Sequence, residues 1–137
     1  MMYAMRVLRA HGLPDTSLQD VFRAVVVSRI EYAAPAWSGM CSAADRTRLN
    51  SLLRRSKRLG YCRIDQLAVA DMFSSADDEL FSRIKSNSHH VLQPYLPDDK
   101  EIPYQLRARS HTLALINKTK FLNDTDFIIR LLYKHSY

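Results

Sequence analysis

The stretch SLQDVFRAVVVSRIEYAA, residues 17–34, has the most regular apolar pattern in the chain and decides its fold class. Its apolar side chains recur at three- and four-residue spacing, which places them on one face of an α-helix. Thr16 or Ser17 can cap the start of this helix, and Pro35 stops or kinks its end. The residues predicted to share the buried face are Leu18, Val21, Phe22, Val25, Val26 and Ala33.

Other helical patterns lie on both sides of this segment. Ser42 and Asp45 form a capping-box pattern that opens a helix over about 43–59, and Gly60 offers the left-handed residue that commonly ends one. The remaining predicted helices are one from Tyr3 to Ala10 that ends at Gly12, a short one within 65–73, one that Ser74 or Ser75 caps with Asp77, Asp78 and Glu79 in its first turn, and a last one that Asp124 or Thr125 opens.

The stretch NSHHVLQPYLPDDKEIP, residues 87–103, combines prolines with mixed charge and indicates a loop or linker. The sequence therefore predicts a mostly α fold. A small helical bundle over residues 1–86 is followed by the irregular linker over 87–103. A C-terminal extension with a short helix then covers residues 104–137.

The composition is that of a globular chain, with 137 residues, 47% apolar and 25% charged. No apolar run reaches the roughly 18 residues of a membrane span, and the N-terminus has no signal cleavage site. We therefore expect an intracellular protein, nuclear or cytoplasmic, without a membrane partner. Cys41 and Cys62 have no second pair and glycine is scarce, so we expect no disulfide, zinc site, phosphate-binding glycine loop or cofactor.

The net charge of +6 is concentrated in one segment. Residues 42–63 contain seven basic residues and a single acidic one, and this difference of six equals the whole excess. In the helix over 43–59 the leucines share an arc of about 120°, and the basic side chains lie outside it. Such a helix either contacts a polyanion or forms the solvated face of a bundle. Its basic residues are Arg46, Arg48, Arg54, Arg55, Lys57 and Arg58.

Five stretches form a recognisable series along the chain: MRVLRAHGL at 5–13, VFRAVVVSRIEYAAPAWSG at 21–39, RLNSLLRRSKRLG at 48–60, YQLRARSH at 104–111 and DFIIRLLYK at 126–134. The series resembles the C-terminal portion of reverse transcriptases from LINE-type (non-LTR) retrotransposons, including the jockey-like elements. The likeness covers nearly the whole chain. Its most specific parts are Tyr-Ala-x-Pro-x-Trp at 32–37 and the basic stretch at 48–60, whereas HTLALINKTKF at 111–121 is a looser match.

In that family the segment after the polymerase palm forms a helical thumb and a short C-terminal extension, and the thumb helices grip the template–primer duplex. The resemblance therefore implies a thumb-like domain over 1–86 that contacts the backbone of an RNA–DNA or DNA duplex. It assigns these contacts above all to Arg54, Arg55, Lys57 and Arg58.

The resemblance does not extend to catalysis. The family's palm aspartates include a pair after an aromatic and a small residue, whereas Asp77 and Asp78 follow Ser-Ser-Ala at a predicted helix start. We therefore expect no catalytic residue in this chain. It looks like a fragment of an RNA-directed DNA polymerase, without fingers and palm and inactive by itself.

Two alternatives stay open at this point. In the first, the chain is a small helical interaction module whose acidic stretches, 77–79 and 98–101, pair with the basic helix, and it binds no nucleic acid. In the second, the chain does not fold without the palm and exposes an apolar strip. A metal site at His89–His90 and a nucleophilic cysteine have little support, because neither has partners at suitable spacing.

Three residues near the apolar helix have both a structural and a binding interpretation. Helical projection places Arg29 beside Leu18 and Phe22, and we expect its long side chain to reach solvent from the helix end rather than to bind phosphate. Tyr32 and Trp37 could stack on bases, but aromatic residues beside a proline corner more often pack into the core. We therefore expect all three to have structural roles.

Overall fold

The structure is a computed structural model, and it describes residues 2–100, 111–117, 119 and 125–136. Within these residues the fold is mostly helical, as predicted, and no named strand occurs. None of the helices in these ranges has both the length and the apolar character needed to cross a membrane. The helices are α1 (Met2–Ala10), α2 (Asp15–Phe22), α3 (Ser28–Glu31), α4 (Ala34–Trp37), α5 (Ala43–Arg58), α6 (Val69–Ser86) and α7 (Phe127–Lys134).

The chain forms two compact units. The first unit comprises Met1–Ala34 and Cys41–Phe73, and the second comprises Pro35–Met40 and Ser74–Tyr137. The ranges 1–86, 87–103 and 104–137 stay a prediction. Within the second unit, α7 shares a hydrophobic core with Phe81 of α6. The buried apolar residues of the first unit are Met5, Leu18, Phe22, Val27, Ile30, Ala34, Leu53, Tyr61, Cys62, Val69, Met72 and Phe73.

A π-helical turn, Arg23–Val27, separates α2 from α3 and changes which side chains face the core. A π turn holds more residues than an α turn. Each residue after it therefore has a smaller angular position around the helix axis than it would have in an unbroken α-helix. Ile30 is therefore buried and Arg29 is exposed, whereas helical projection placed Arg29 beside Leu18 and Phe22. The predicted burial of Val25 was also wrong, since this residue lies within the π-helical turn and its side chain is 36% exposed.

The ends of this helical segment also differ from the prediction. The cap at Thr16 or Ser17 was wrong, because α2 begins at Asp15 and its N-cap, Pro14, makes no side-chain hydrogen bond. At the other end the chain turns at Ala33, which is exposed and has a φ of 49°. The helix therefore ends near the proline, as predicted, but the break lies at Tyr32 and Ala33, and Pro35 itself belongs to the next short helix, α4.

Helix α5 begins and ends as the sequence predicts. The Ser42 hydroxyl accepts a hydrogen bond from the Asp45 amide at 3.1 Å and donates one to the Asp45 carboxylate at 2.6 Å. At the other end, Gly60 N–H donates to Lys57 C=O at 3.0 Å and Tyr61 N–H donates to Ser56 C=O at 2.9 Å. These two bonds form a Schellman motif, which satisfies carbonyl groups at the end of the helix.

Gly60→Ala is expected to lower the free energy of unfolding by about 1–2 kcal/mol, because Gly60 has a φ of +74° and L residues are strained there. Urea unfolding monitored by circular dichroism measures the change. Gly60→Asn is the matched control, since asparagine tolerates this region better and should lose less stability. Equal losses in the two variants would contradict the backbone explanation.

Helix α6 is continuous from Val69 to Ser86, whereas the sequence suggested two separate helices. Its first amide is capped from another helix, since Val69 N–H donates to Asn50 Oδ1 at 3.1 Å. The prediction of a cap at Ser74 or Ser75 was wrong, because no glycine or proline interrupts the helix there. The acidic residues at 77–79 consequently lie in the middle of a helix and not in its first turn.

The second unit is built around a buried cluster of Phe81 from α6 and Leu131 and Leu132 from α7. Asp126 caps α7, with its Oδ1 accepting from Ile129 N–H at 3.0 Å. Of the two predicted caps, Thr125 lies one residue before the observed cap. Asp124 lies outside the described residues. Residues 87–100 are irregular apart from a short 3₁₀ turn, as predicted, and the stretch at 104–110 lies outside the described residues.

A largely buried ion pair joins α6 and α7 within the second unit. Arg130 Nη2 donates to Asp77 Oδ2 at 2.8 Å and to the Ser38 hydroxyl at 3.1 Å. The other carboxylate oxygen of Asp77 has no hydrogen-bond partner among the described residues. Burial raises the pKa of Asp77 above its ordinary value, and the charge of Arg130 offsets only part of this effect.

Asp78 makes a second, more exposed connection to the same helix. Its Oδ1 lies 2.6 Å from Lys134 Nζ and 2.8 Å from His135 Nε2, and the His135 ring stacks on Phe81. Burial acts to raise the pKa of Asp78, but the hydrogen bonds from Lys134 and His135 outweigh it and hold this pKa below its ordinary value. Asp77 and Asp78 of α6 thus both attach α7.

Candidate nucleic-acid interface

Four arginines of α5 form one exposed surface, which we call the arginine face: Arg48, Arg54, Arg55 and Arg58. At about 100° per residue they occupy an arc of about 120°, on the side of the helix away from its buried residues, Leu53 and Ser56. From Arg48 to Arg58 the helix rises about 15 Å. The guanidinium groups therefore form a row that an extended polyanion can follow.

A shallow groove runs along the arginine face. All of the residues that line it belong to α5, and uncharged side chains fill the spaces between the arginines. Both the short polar side chains and the partly buried Leu52 lie within reach of anything that binds there. The lining residues are Thr47, Arg48, Ser51, Leu52, Arg54, Arg55 and Arg58.

The other two basic residues of the predicted site, Arg46 and Lys57, are placed differently. They lie half-buried on the flank of α5 that carries Asn50, and this flank contacts the segment leading into α6. Arg46 lies over the Phe73 ring at 5.7 Å and donates to Cys41 C=O at 3.4 Å. Lys57 Nζ donates to Gln66 C=O at 2.6 Å. Both side chains thus hold the first unit together.

The arginine face has little neutralising charge nearby. Arg48 Nη1 lies 3.6 Å from Asp45 Oδ1, but the two side chains are 82% and 52% exposed. An ion pair this exposed contributes little to stability. Within the part of the chain that the structure describes, Arg54, Arg55 and Arg58 make no ion pair with a carboxylate. Their charge is therefore available to a ligand.

The chemistry of the face is that of an anion-binding surface. Each guanidinium offers several N–H donors in a planar fork that fits two oxygens of a phosphate. The groove has no carboxylate, histidine or cysteine that could act as an acid, base or nucleophile. The arrangement can hold a phosphate backbone, and it offers no group for cleaving or forming one.

The remaining candidates are not gathered into a site. Tyr32 is 80% exposed, so its predicted packing into the core was wrong, whereas Trp37 is half-buried. Cys62 is buried, which raises the pKa of its thiol and makes it a poor nucleophile. Among residues 2–100, 111–117, 119 and 125–136, no group of three or more potential ligands could hold a metal ion.

The sequence interpretation missed Ser51. The projection that placed the arginines outside the leucine arc also places Ser51 at the centre of the arginine face, between Arg48 at i−3 and Arg55 at i+4. The sequence interpretation considered only charged residues on this face, and Ser51 is short and neutral.

Comparison of the whole chain with protein-family models, curated proteins and solved structures found no match.

Proposed function

We propose that this chain binds the sugar-phosphate backbone of an RNA–DNA or DNA duplex through the arginine face, and that it has no catalytic activity of its own. It would act as the thumb-like and C-terminal part of a LINE-type reverse transcriptase. The observation that carries the proposal is the exposure of Arg54, Arg55 and Arg58 without a carboxylate partner among the described residues. The series of stretches described above supplies the link to that family.

The expected binding is weak and independent of sequence. A duplex carries about one negative charge per 1.7 Å of its axis, so a row of arginines about 15 Å long meets several phosphates. Each neutralised phosphate releases counterions, and the affinity then falls as the salt concentration rises. Direct reading of bases would need side chains that reach base edges, and the arginine face presents mainly guanidinium groups.

The alternative of an interaction module without nucleic acid requires carboxylates that pair with the basic helix. In the structure, Asp77 pairs with Arg130, and Glu79 pairs with Arg83 one helical turn away. Asp78 is held by two basic residues of the C-terminal segment. These contacts engage the stretch 77–79. In the second acidic stretch, of which residues 98–100 are described, the Asp99 carboxylate accepts a hydrogen bond from the Thr112 hydroxyl. Among the described residues, neither stretch therefore pairs with Arg54, Arg55 or Arg58.

Arg54→Ala combined with Arg58→Ala is expected to weaken duplex binding and to flatten its salt dependence. The slope of the logarithm of affinity against the logarithm of salt should decrease by about 1.8, since each lost phosphate contact removes about 0.9. Fluorescence anisotropy with a labelled DNA duplex and a matched RNA–DNA hybrid, from about 50 to about 200 mM salt, measures this slope.

The matched control is Arg63→Ala combined with Arg83→Ala, which removes the same formal charge. Both of these arginines are exposed and already paired, with Asp65 and Glu79 respectively. This control should keep most of the wild-type slope. Absence of duplex binding by the wild-type chain at low salt would overturn the proposal and favour the interaction module. An equal loss of slope in both double variants would point to net charge rather than to the arginine face.

A further inference from the structure

We propose that Ser51 is a phosphorylation site and that a phosphoryl group there switches off the arginine face. The acceptor is the Ser51 hydroxyl, and the modifying partner is a protein kinase that selects arginine three residues before the serine. The effect on nucleic acid rests on the proposed function. The modification and its pairing with the arginines can be tested separately.

The position of Ser51 is the first argument. It is exposed and lines the groove of the arginine face. On an α-helix, residues three and four positions away are nearest neighbours on the surface. Arg48 at i−3, Arg54 at i+3 and Arg55 at i+4 therefore surround the Ser51 hydroxyl, and Arg58 lies one turn beyond. No other hydroxyl is so central to this face, since Thr47 Oγ1 donates back to Ala43 C=O at 2.9 Å.

The local sequence is the second argument. Arg48-Leu49-Asn50-Ser51-Leu52 places a cation at position −3 and an apolar residue at position +1 relative to the acceptor. Arg48 is 82% exposed, and its contact with Asp45 is loose at 3.6 Å. A kinase whose substrate cleft carries carboxylates for the −3 residue can therefore recognise this arginine.

A kinase must also reach the hydroxyl, which lies in the middle of a helix. Only Leu53 and Ser56 of the 16 residues of α5 are buried, and the side of the helix that carries Ser51 is exposed. Segments with few buried apolar contacts open locally at low cost. Ser56, which follows two arginines in the sequence, is fully buried and bonded to the Met2 sulfur, so it is not the acceptor.

The reaction is an ordinary phosphoryl transfer. Ser51 Oγ attacks the γ-phosphorus of a nucleoside triphosphate, and the bond from that phosphorus to the bridging oxygen of the β-phosphate breaks. The nucleoside diphosphate leaves, and the hydroxyl proton passes to a carboxylate of the kinase that acts as the base. The product carries about two negative charges at neutral pH and three acceptor oxygens. These oxygens pair with Arg48, Arg54 and Arg55, which then have less charge to offer a duplex.

The first experiment incubates the full chain with a purified arginine-directed serine kinase, magnesium and ATP, and maps the product by mass spectrometry. We expect phosphate on Ser51, its loss in Ser51→Ala, and at least a tenfold slower reaction in Arg48→Ala. Circular dichroism of each variant confirms that the helix content is unchanged. Modification at other serines with Ser51 untouched would overturn the assignment of the acceptor.

The second experiment installs phosphoserine at position 51 during translation and measures its phosphorus resonance against pH. Surrounding guanidinium groups should lower the second pKa of this phosphate below about 6, the usual value for phosphoserine. Phosphoserine at Ser82, an exposed position on α6, is the control and should titrate normally. A normal titration at position 51 would overturn the pairing, whether or not the chain binds nucleic acid.

The third experiment compares duplex binding by the two phosphorylated proteins. Phosphoserine at position 51 should reduce affinity at least tenfold and flatten the salt slope by about 1.8, the effect of cancelling about two arginines. Phosphoserine at position 82 should change the slope by much less. Equal affinity of the unmodified and position-51 proteins would overturn the switch. Failure of the unmodified protein to bind would instead count against the proposed function, while the first two experiments still test the site.

Discussion

We expect Leu132→Ala to lower the free energy of unfolding of the second unit by about 3 kcal/mol. Leu132 is fully buried in the cluster with Phe81 and Leu131, and truncation leaves a cavity where its methyl groups packed. The cost combines lost burial with the empty space that remains. Urea unfolding followed by Trp37 fluorescence measures it, since Trp37 is the only tryptophan and lies in this unit.

The control for this variant is Val91→Ala, because Val91 belongs to the same unit but is 82% exposed. This variant should lower the free energy of unfolding by no more than about 0.5 kcal/mol. A Leu132→Ala protein with wild-type stability would mean that α7 contributes no core. That result would contradict the second unit as described.

Arg130→Ala is expected to lower the free energy of unfolding by about 3 kcal/mol at neutral pH. This loss should exceed the stabilisation that the ion pair itself contributes. The side chains of Arg130 and Asp77 are only 21% and 10% exposed, so removing the arginine leaves a carboxylate with little water and without its ion-pair partner. The same Trp37 fluorescence assay applies, because both residues lie in the second unit. The penalty comes mainly from the charge that is left behind.

The double variant Arg130→Ala with Asp77→Asn tests that explanation, because it removes the buried charge and should recover a large part of the loss. The pH dependence is a second test. A carboxyl group whose folded-state pKa is raised stabilises the fold fully below its unfolded pKa of about 3.9, and this contribution is lost as pH rises through the folded pKa. The difference in the free energy of unfolding between the single and double variants should therefore decrease as pH falls towards 4. A difference that is constant with pH would show that Asp77 stays charged in both states.

The sequence predicted those features of the fold that depend on neighbouring residues. The start of α5 depends on a hydroxyl and a carboxylate three residues apart, and its end depends on Gly60, so both could be predicted locally. The exposure of Arg54 and Arg58 follows from the leucine spacing on the same helix. In each case the interaction partners lie within one or two helical turns.

Features that depend on distant parts of the chain could not be predicted in the same way. The capping interpretation of Ser74 was reasonable in isolation, but its hydroxyl accepts a hydrogen bond at 2.7 Å from Lys134, sixty residues away. The partner of Asp77 lies 53 residues further along the chain. The contacts of Arg46 and Lys57 also depend on how the segment after Gly60 folds back, so charge and periodicity could not separate them from the arginine face.

The widened turn at Arg23–Val27 has a consequence for the length of the first unit. Leu18 and Phe22 before the turn, Val27 at its last position and Ile30 after it are the side chains that an unbroken α-helix one residue shorter would bury together. The turn therefore behaves as an absorbed insertion. A surplus residue bulges outward locally, and the downstream segment keeps its phase against the hydrophobic interior. Tolerance to a change in chain length is thus built into the stretch that decides the fold.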